Sequence, residues 1–384
     1  MTTSVKYFHS ELPGAPVLSG TAGSRIAVLD ACLVNGWGLL TASGVSVAGG
    51  VATATFTASH SFEPLSVILV AGASVPAING EQRVTSTASL SISWPAPGVA
   101  DGPVSGTITI KLAPAGWVKM SGTNKAAYKS GNVSASGCWI QIDDTGAQLA
   151  RLRAYDAMTD VDTGTGPTPT DAQQSGGLYM SCSSTATTAA RKWIVAASDK
   201  FCILLIAHSA NYPNDYMPYA FGDFPSLKAG DAYPFIVAAD TGSYVNATYI
   251  GDCALNGMAS AVGVFVVRNY TQVSGAVPAK LAKPGLFANS GSTANPPGPN
   301  PINNAIELCP TLIYEGSGTN ASRRGTLPGV YGLPHFVGTA YDSKQQIPAA
   351  VGLPGHVLIG VRYYSAADYA SGYRYAIDVT GPWE

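Results

Sequence analysis

The stretch Val51-Ala-Thr-Ala-Thr-Phe-Thr-Ala58 alternates apolar with hydroxyl side chains at a period of two, the period at which successive residues of an extended chain face opposite sides of a sheet. Short runs of the same kind follow at Leu65–Val70, Arg83–Trp94 and Ser105–Leu112. Turn signals part them, Asn79-Gly80 and Asp101-Gly102-Pro103, the first being the strongest short hairpin mark. Such a succession of strands describes a small β-barrel or sandwich. Gly36-Trp37-Gly38 before this unit and Ala115-Gly116-Trp117 after it read as two halves of one interrupted strand region. Residues 42–113 are therefore expected to be an inserted β domain. Residues 1–41 and 114–384 are expected to form the main core, either whole or as two subdomains split near 240–290. An insertion needs its two ends close together, and a two-strand exit from a sheet supplies that.

Upstream, Ser24-Arg-Ile-Ala-Val-Leu-Asp-Ala-Cys-Leu-Val-Asn-Gly36 reads as the one helix, with Ser24 as its N-cap, an apolar stripe of Ile26, Leu29, Leu33 and Val34, and Gly36 to end it. Downstream, strands are expected at Cys138–Asp143, Leu149–Ala154, Lys192–Ala197, Phe201–Ala207, Tyr233–Ala239, Ser260–Val267, Glu307–Tyr314 and His356–Tyr364, all parted by Gly, Pro, Asn or Asp. The fold class is thus mainly β: a β-sandwich or jelly-roll-like core with one N-terminal helix and an inserted small β-barrel or sandwich. Two low-complexity loops, Thr163–Gly177 and Asn289–Asn304, exceed the usual loop length and are the first candidates for ordering by neighbouring subunits. No fixed-period repeat, heptad or triple-helix pattern is visible, which disfavours a fibre shaft.

Composition narrows the function. Charged residues make up 11% of the 384, with 43 glycines and 26 prolines, where soluble domains carry roughly 25% charge. The surface must then be covered by Ser, Thr, Ala, Gly and Asn, as suits faces buried against neighbours or a life outside the cytosol. A net charge of −2 with no basic run argues against a nucleic-acid partner. No secretory leader is read at the N-terminus, and apolar runs such as Phe201–Ala207 are far shorter than the roughly 20 residues of a membrane span. Cys32, Cys138, Cys182, Cys202, Cys253 and Cys309 stand singly without C-x-x-C spacing, as packed thiols or, alternatively, with one disulfide pair among them.

His9, His60, His208, His335 and His356 are far apart in sequence and lack metal-ligand spacing. The acidic groups Asp143-Asp144 and Asp156, Asp160 and Asp162 have a form that glycoside hydrolysis or calcium could use, but Asp160-Val-Asp162-Thr-Gly164 has no later glutamate and reads as a solvated turn. No catalytic, cofactor-binding or metal-binding residue is assigned, and the expectation is a protein that is not an enzyme and has no cofactor. Candidate assembly residues are Tyr212, Pro213 and Tyr216 after His208, Pro296 and Pro297 in the second long loop, and Tyr373, Tyr375 and Trp383 near the C-terminus. Aromatics of this kind serve as core, interface anchors or sugar platforms.

A set of blocks spans nearly the whole chain: Lys6-Tyr-Phe-His-Ser10, Pro13-Gly-Ala-Pro-Val-Leu-Ser-Gly-Thr-Ala-Gly-Ser24, Ile26-Ala-Val-Leu-Asp-Ala-Cys-Leu-Val-Asn-Gly-Trp-Gly38, Ala115-Gly-Trp117, Ser121-Gly-Thr-Asn-Lys-Ala-Ala-Tyr128, Met158-Thr-Asp-Val-Asp-Thr-Gly-Thr-Gly-Pro167, Phe221-Gly-Asp223, Gly230-Asp-Ala-Tyr233 and Arg324-Gly-Thr-Leu-Pro-Gly-Val-Tyr331. Together they resemble a family of virion-associated structural proteins of tailed bacteriophages, in whose shorter members the helix runs almost directly into the Ala-Gly-Trp block. The resemblance implies a place in the virion and carries no catalytic signature; other virion proteins as partners and a symmetric homo-oligomer are expected. A tail-associated role in baseplate, tail tip or collar is expected. Capsid decoration, or binding of a host surface glycan or receptor, are the alternatives.

Overall fold

Trp193–Ala197 and Phe201–Ile206 are apolar at every position and buried at every position. A strand can be so only where its sheet is covered on both faces. These two strands lie in the middle of an antiparallel sheet ordered Lys6–His9, Trp193–Ala197, Phe201–Ile206, Met217–Asp223, Phe235–Asp240 and Val262–Val266. Alternate side chains go to opposite sides. Val195, Leu204, Tyr219 and Val237 pack with Tyr128, Ile140, Ile142 and Leu152 of a second sheet, built from Trp117–Gly122, Lys125–Ser130, Trp139–Asp143, Leu149–Tyr155 and Leu178–Ser181. Ile194, Ile203, Ile236 and Val266 pack instead with Ile313, Leu327, Ile359 and Ile377 of a third sheet, formed by Cys309–Glu315, Ser322–Gly332, Arg374–Asp378 and Leu358–Arg362. The layers are continuous: Tyr179 pairs with Asp240 at one border, and Val277–Ala282 carries the central sheet over into the third at the other. Each fully buried Leu, Ile or Phe in this stack contributes about 1.5–3 kcal/mol.

The computed structural model describes residues 2–207, 209–211, 213–243, 262–273, 275–282, 302, 307–316, 321–333, 344, 346–347, 352–362 and 374–383. Each of the eight downstream runs read as strands overlaps one. The strands Lys6–His9, Lys125–Ser130, Leu178–Ser181 and Val277–Ala282 were not expected, nor were Met217–Asp223 and Ser322–Gly332, whose internal Pro and Gly residues break their apolar pattern. From Trp193 to Gly332 each described strand pairs with the next, a meander.

The helix forms over Ser24–Leu29 and continues as wider π turns over Asp30–Asn35. Ile26, Leu29 and Leu33 are buried as the stripe requires. Its cap differs from expectation. Ser24 lies within the first turn and its hydroxyl donates to Ser19 O at 2.7 Å, while the N-cap is Gly23. The capping acceptor comes from another strand end: Asp144 Oδ2 receives the backbone N–H of Arg25 at 2.9 Å and of Ile26 at 3.2 Å. The Arg25 side chain pairs with the same carboxylate, both groups being fully buried. Asp144 thus satisfies orphan helix donors and a buried cation together. At the other end Gly36 stops the helix at φ 64°, donating to Ala31 O at 2.8 Å.

Residues 40–112 fold as two facing sheets with no closed barrel. One is ordered Leu40–Thr41, Thr109–Leu112, Val67–Ala71, Gly80–Arg83, and the other Ser86–Ala88, Ser91–Pro95, Val51–Thr55, Gly44–Ala48, Gly102–Val104. Val45, Ala54, Ile92 and Trp94 meet Ile68, Val70 and Ile110 in the core. Entry and exit are neighbours, since Thr41 pairs with Thr109 and Leu112 N–H donates to Trp37 O at 2.9 Å. Asn79-Gly80 does close a hairpin, but not as a two-residue turn. A longer loop intervenes, which Asn79 ties by accepting from Ala73 N–H at 2.9 Å and donating to Ala73 O at 2.8 Å.

Thr163–Gly177, expected as a candidate for ordering by neighbouring subunits, is tied to its own chain. Thr168 and Ala154 exchange two backbone hydrogen bonds of 2.8 Å, and Arg153 holds Asp171 at 2.6 Å. Gln174 reaches Thr241 O at 3.1 Å and Gln173 reaches Ala276 O at 2.9 Å. Its backbone meets its own sheet at the isolated bridge between Thr168 and Ala154. Asn289–Asn304 falls outside the described residues except for position 302.

Candidate assembly surface

The predicted assembly residues separate by depth. Tyr216 and Tyr375 are interior, 2% and 4% exposed, in the core between the central and third sheets; buried there, they support packing and present no face to a neighbour. Trp383 is half-buried. Its ring lies against Gly329 and edge-on to Phe201 at 6.1 Å between centroids, and its Nε1 donates to Asp378 O at 3.0 Å, so it pins the chain end. Pro213 is exposed. Tyr212, Pro296, Pro297 and Tyr373 lie outside the described residues, as does His208.

A surface that the sequence does not announce is built from two loops. Leu227 is 57% exposed, Tyr270 45% and Val273 84%. Lys228 Nζ sits 4.7 Å from the Tyr270 ring centroid, which places the first loop beside the second. Val273 follows a tight turn closed by Gln272 N–H to Asn269 O at 2.8 Å. Beneath lies a buried anchor. Arg324, fully buried, donates through Nε to Asp231 Oδ2 at 3.0 Å and through Nη1 to Glu315 Oε2 at 2.5 Å. Gln272 donates to Asp231 at 2.7 Å and Glu315 accepts Tyr270 N–H at 2.9 Å, so both loops are held by the same ion cluster. Burial pushes the Asp231 carboxyl up, but donors from Ser226, Tyr233, Arg324 and Gln272 outweigh it and leave it below the ordinary range. Charge inside thus positions the loops that carry these exposed apolar side chains. The available sequence signal was Arg324 alone, a cation entering a strand rich in apolar residues.

Other ionisable groups act as staples. Asp143 and Asp144 separate, Asp144 to the helix and Asp143 toward Lys125, which also holds Asp162 at 2.8 Å. Asp160 accepts the backbone N–H of Asp162 at 2.8 Å, the turn that was expected. Asp156 pairs with Arg268 at 2.5 Å, His9 with Glu63 at 3.0 Å and His356 with Asp378 at 2.8 Å. Burial raises the thiols of Cys138 to about 12 and of Cys182 to about 11, which keeps them protonated. Among the described residues no group of three or more His, Cys, Asp or Glu is arranged to hold a metal, and no helix is long and apolar enough to cross a membrane.

No protein-family model matches the chain, and a search of curated proteins finds no match. Among solved structures, a chain of the phage phi92 endosialidase is similar at 8% identity and a TM-score of 0.17, over 90% of this chain and 52% of that one.

Proposed function

We propose that this chain is a structural component of a tailed-bacteriophage virion, a multi-copy tail-associated protein of the baseplate, tail tip or collar that works by assembly and not by catalysis. The observation that carries the reading is the division of labour between inside and outside. Ionisable side chains engage one another within the fold across long sequence separations, whereas Leu227, Tyr270 and Val273 stand exposed on loops that buried charge holds in place. The block resemblance and the low charge agree with it. Residues 42–113 are read as an inserted module on the main core. The partners are other virion proteins and further copies of this chain under closed symmetry, and no cofactor or nucleic acid is invoked. Separating heads from tails of the particle and identifying this chain by mass spectrometry tests the assignment: recovery with tails at roughly three to twelve copies is expected. Recovery with heads alone, at hundreds of copies, would replace it with capsid decoration.

The exposed Tyr270 ring favours one second reading, host-receptor binding through a surface glycan, because an aromatic face flanked by hydrogen-bonding groups suits a sugar ring. Glycan-array binding lost on Tyr270→Ala would promote it.

A further inference from the structure

The two-sheet insert shares one continuous apolar core with the body, and two sets of hydrogen-bonded contacts of different character join them besides. One is the pivot. There the Leu40–Thr41 and Thr109–Leu112 strands pair, Ala115 N–H donates to Cys32 O at 2.9 Å, and Gly116 N–H donates to Leu33 O at 3.0 Å. The other contact is made far along the insert's sequence by Glu63, Leu65, Glu81 and Arg83. Arg83, 3% exposed, spreads its guanidinium over backbone oxygens from three segments: Thr2 and Val5 at 2.7 Å each, Leu65 at 2.7 Å, and Thr380 at 3.2 Å. Glu63 meets His9 at 3.0 Å and Glu81 meets Lys6 at 2.8 Å. Between them Leu65 enters the core shared by the central and third sheets. It does so at φ 76°, a left-handed conformation that a γ-branched residue seldom adopts.

A strained backbone of this kind persists only where its surroundings over-determine it. Here the surroundings belong to two bodies: the turn around Leu65 comes from the insert, and its socket from the chain ends and the central sheet. We propose that the insert is hinged at its paired entry and exit strands and clasped to the body by Glu63, Leu65, Glu81 and Arg83, and that this clasp opens as a unit before the layered body unfolds. The contacts across it are chiefly polar and backbone-directed, with one apolar side chain in the middle. Water can replace hydrogen bonds of that sort, and opening releases the Leu65 backbone, whereas the body's layers are held by continuous apolar packing. The open state would free the N-terminal strand Lys6–His9 from its charged cover and turn the insert outward on its pivot.

Nitroxides at two exposed positions, Thr87 of the insert and Val133 of the body, report the distance between the parts in the full chain. Arg83→Met is expected to add a longer-distance population at least tenfold larger than in the parent, while amide exchange over Phe201–Ile206 stays slow. Arg153→Met, in the far sheet, is expected to leave the distances unchanged. If Arg83→Met fails to fold, the unsubstituted chain in rising sub-denaturing urea serves equally. Broadening of the distances before central-sheet exchange accelerates supports the clasp. Distances and exchange changing only together would overturn it.

Discussion

Asp144 shows how much one side chain can be asked to do. Its carboxylate closes the first turn of the helix and neutralises Arg25, and both are sealed from water. Removing one partner of a buried pair leaves the other uncompensated, a loss of roughly 3–5 kcal/mol. Asp144→Ala is expected to lose that much in urea unfolding, and Asp144→Asn less, because its amide oxygen still accepts from the helix. Acid sensitivity rests on other residues. Hydrogen bonds from Lys192 and Lys344 hold Glu11 down at about 2, and His9 holds Glu63 below its ordinary range. In the unfolded chain such carboxyls titrate near 4.3, roughly their free value. Between those limits the unfolded chain binds more protons, so these groups stabilise above about pH 4.3 and the benefit is lost as pH falls toward 2. Asp223, raised by burial, works in the opposite direction. The melting temperature should drop between pH 5 and pH 3, and by less in Glu11→Gln than in the parent; equal drops would remove Glu11 from the account.

At the level of elements, two glycines of positive φ predict different outcomes. Gly36 ends the helix at φ 64°, and a Cβ there would lie 2.0 Å from Leu112 O, where the insert leaves. Gly50 turns a hairpin at φ 74° with nothing within 4 Å of a Cβ. Gly50→Ala should cost only about 1–2 kcal/mol, the left-handed penalty, and Gly36→Ala distinctly more, because backbone must move; thermal melts of the two variants compare them. The elements also show what could be read from residues alone. Period-two alternation and turn residues located the insert strands Val51–Thr55, Val67–Ala71, Ser91–Pro95 and Thr109–Leu112, and unbroken apolar runs located the central strands Trp193–Ala197 and Phe201–Ile206, because both signals are local. The cap on the helix was misassigned to Ser24 because its real acceptor is more than a hundred residues away. The Leu227, Tyr270 and Val273 surface was missed for a related reason: an exposed apolar residue in a loop carries no mark until the folded chain shows what lies beneath it.

For the whole molecule, assembly predicts that the exposed surface can be altered without harm to the fold. Replacing Leu227, Tyr270 and Val273 together with Ser touches exposed side chains, where substitutions usually change stability by less than about 0.5 kcal/mol each. The triple variant is expected to melt close to the parent and, in light scattering after gel filtration, to move toward lower mass. An unchanged mass would place the contact elsewhere on the molecule. The central sheet has a further consequence. With side chains of both faces enclosed, neither parity of position can accept a polar group, whereas the insert's alternating strands keep one parity open to solvent. A saturation map of tolerated residues should therefore show a two-residue stripe over Gly44–Thr55 and a solid band of intolerance over Trp193–Ile206, broken at its turn. Sequence drift in this lineage would be confined to loops and outer faces, while the middle layer stays nearly fixed.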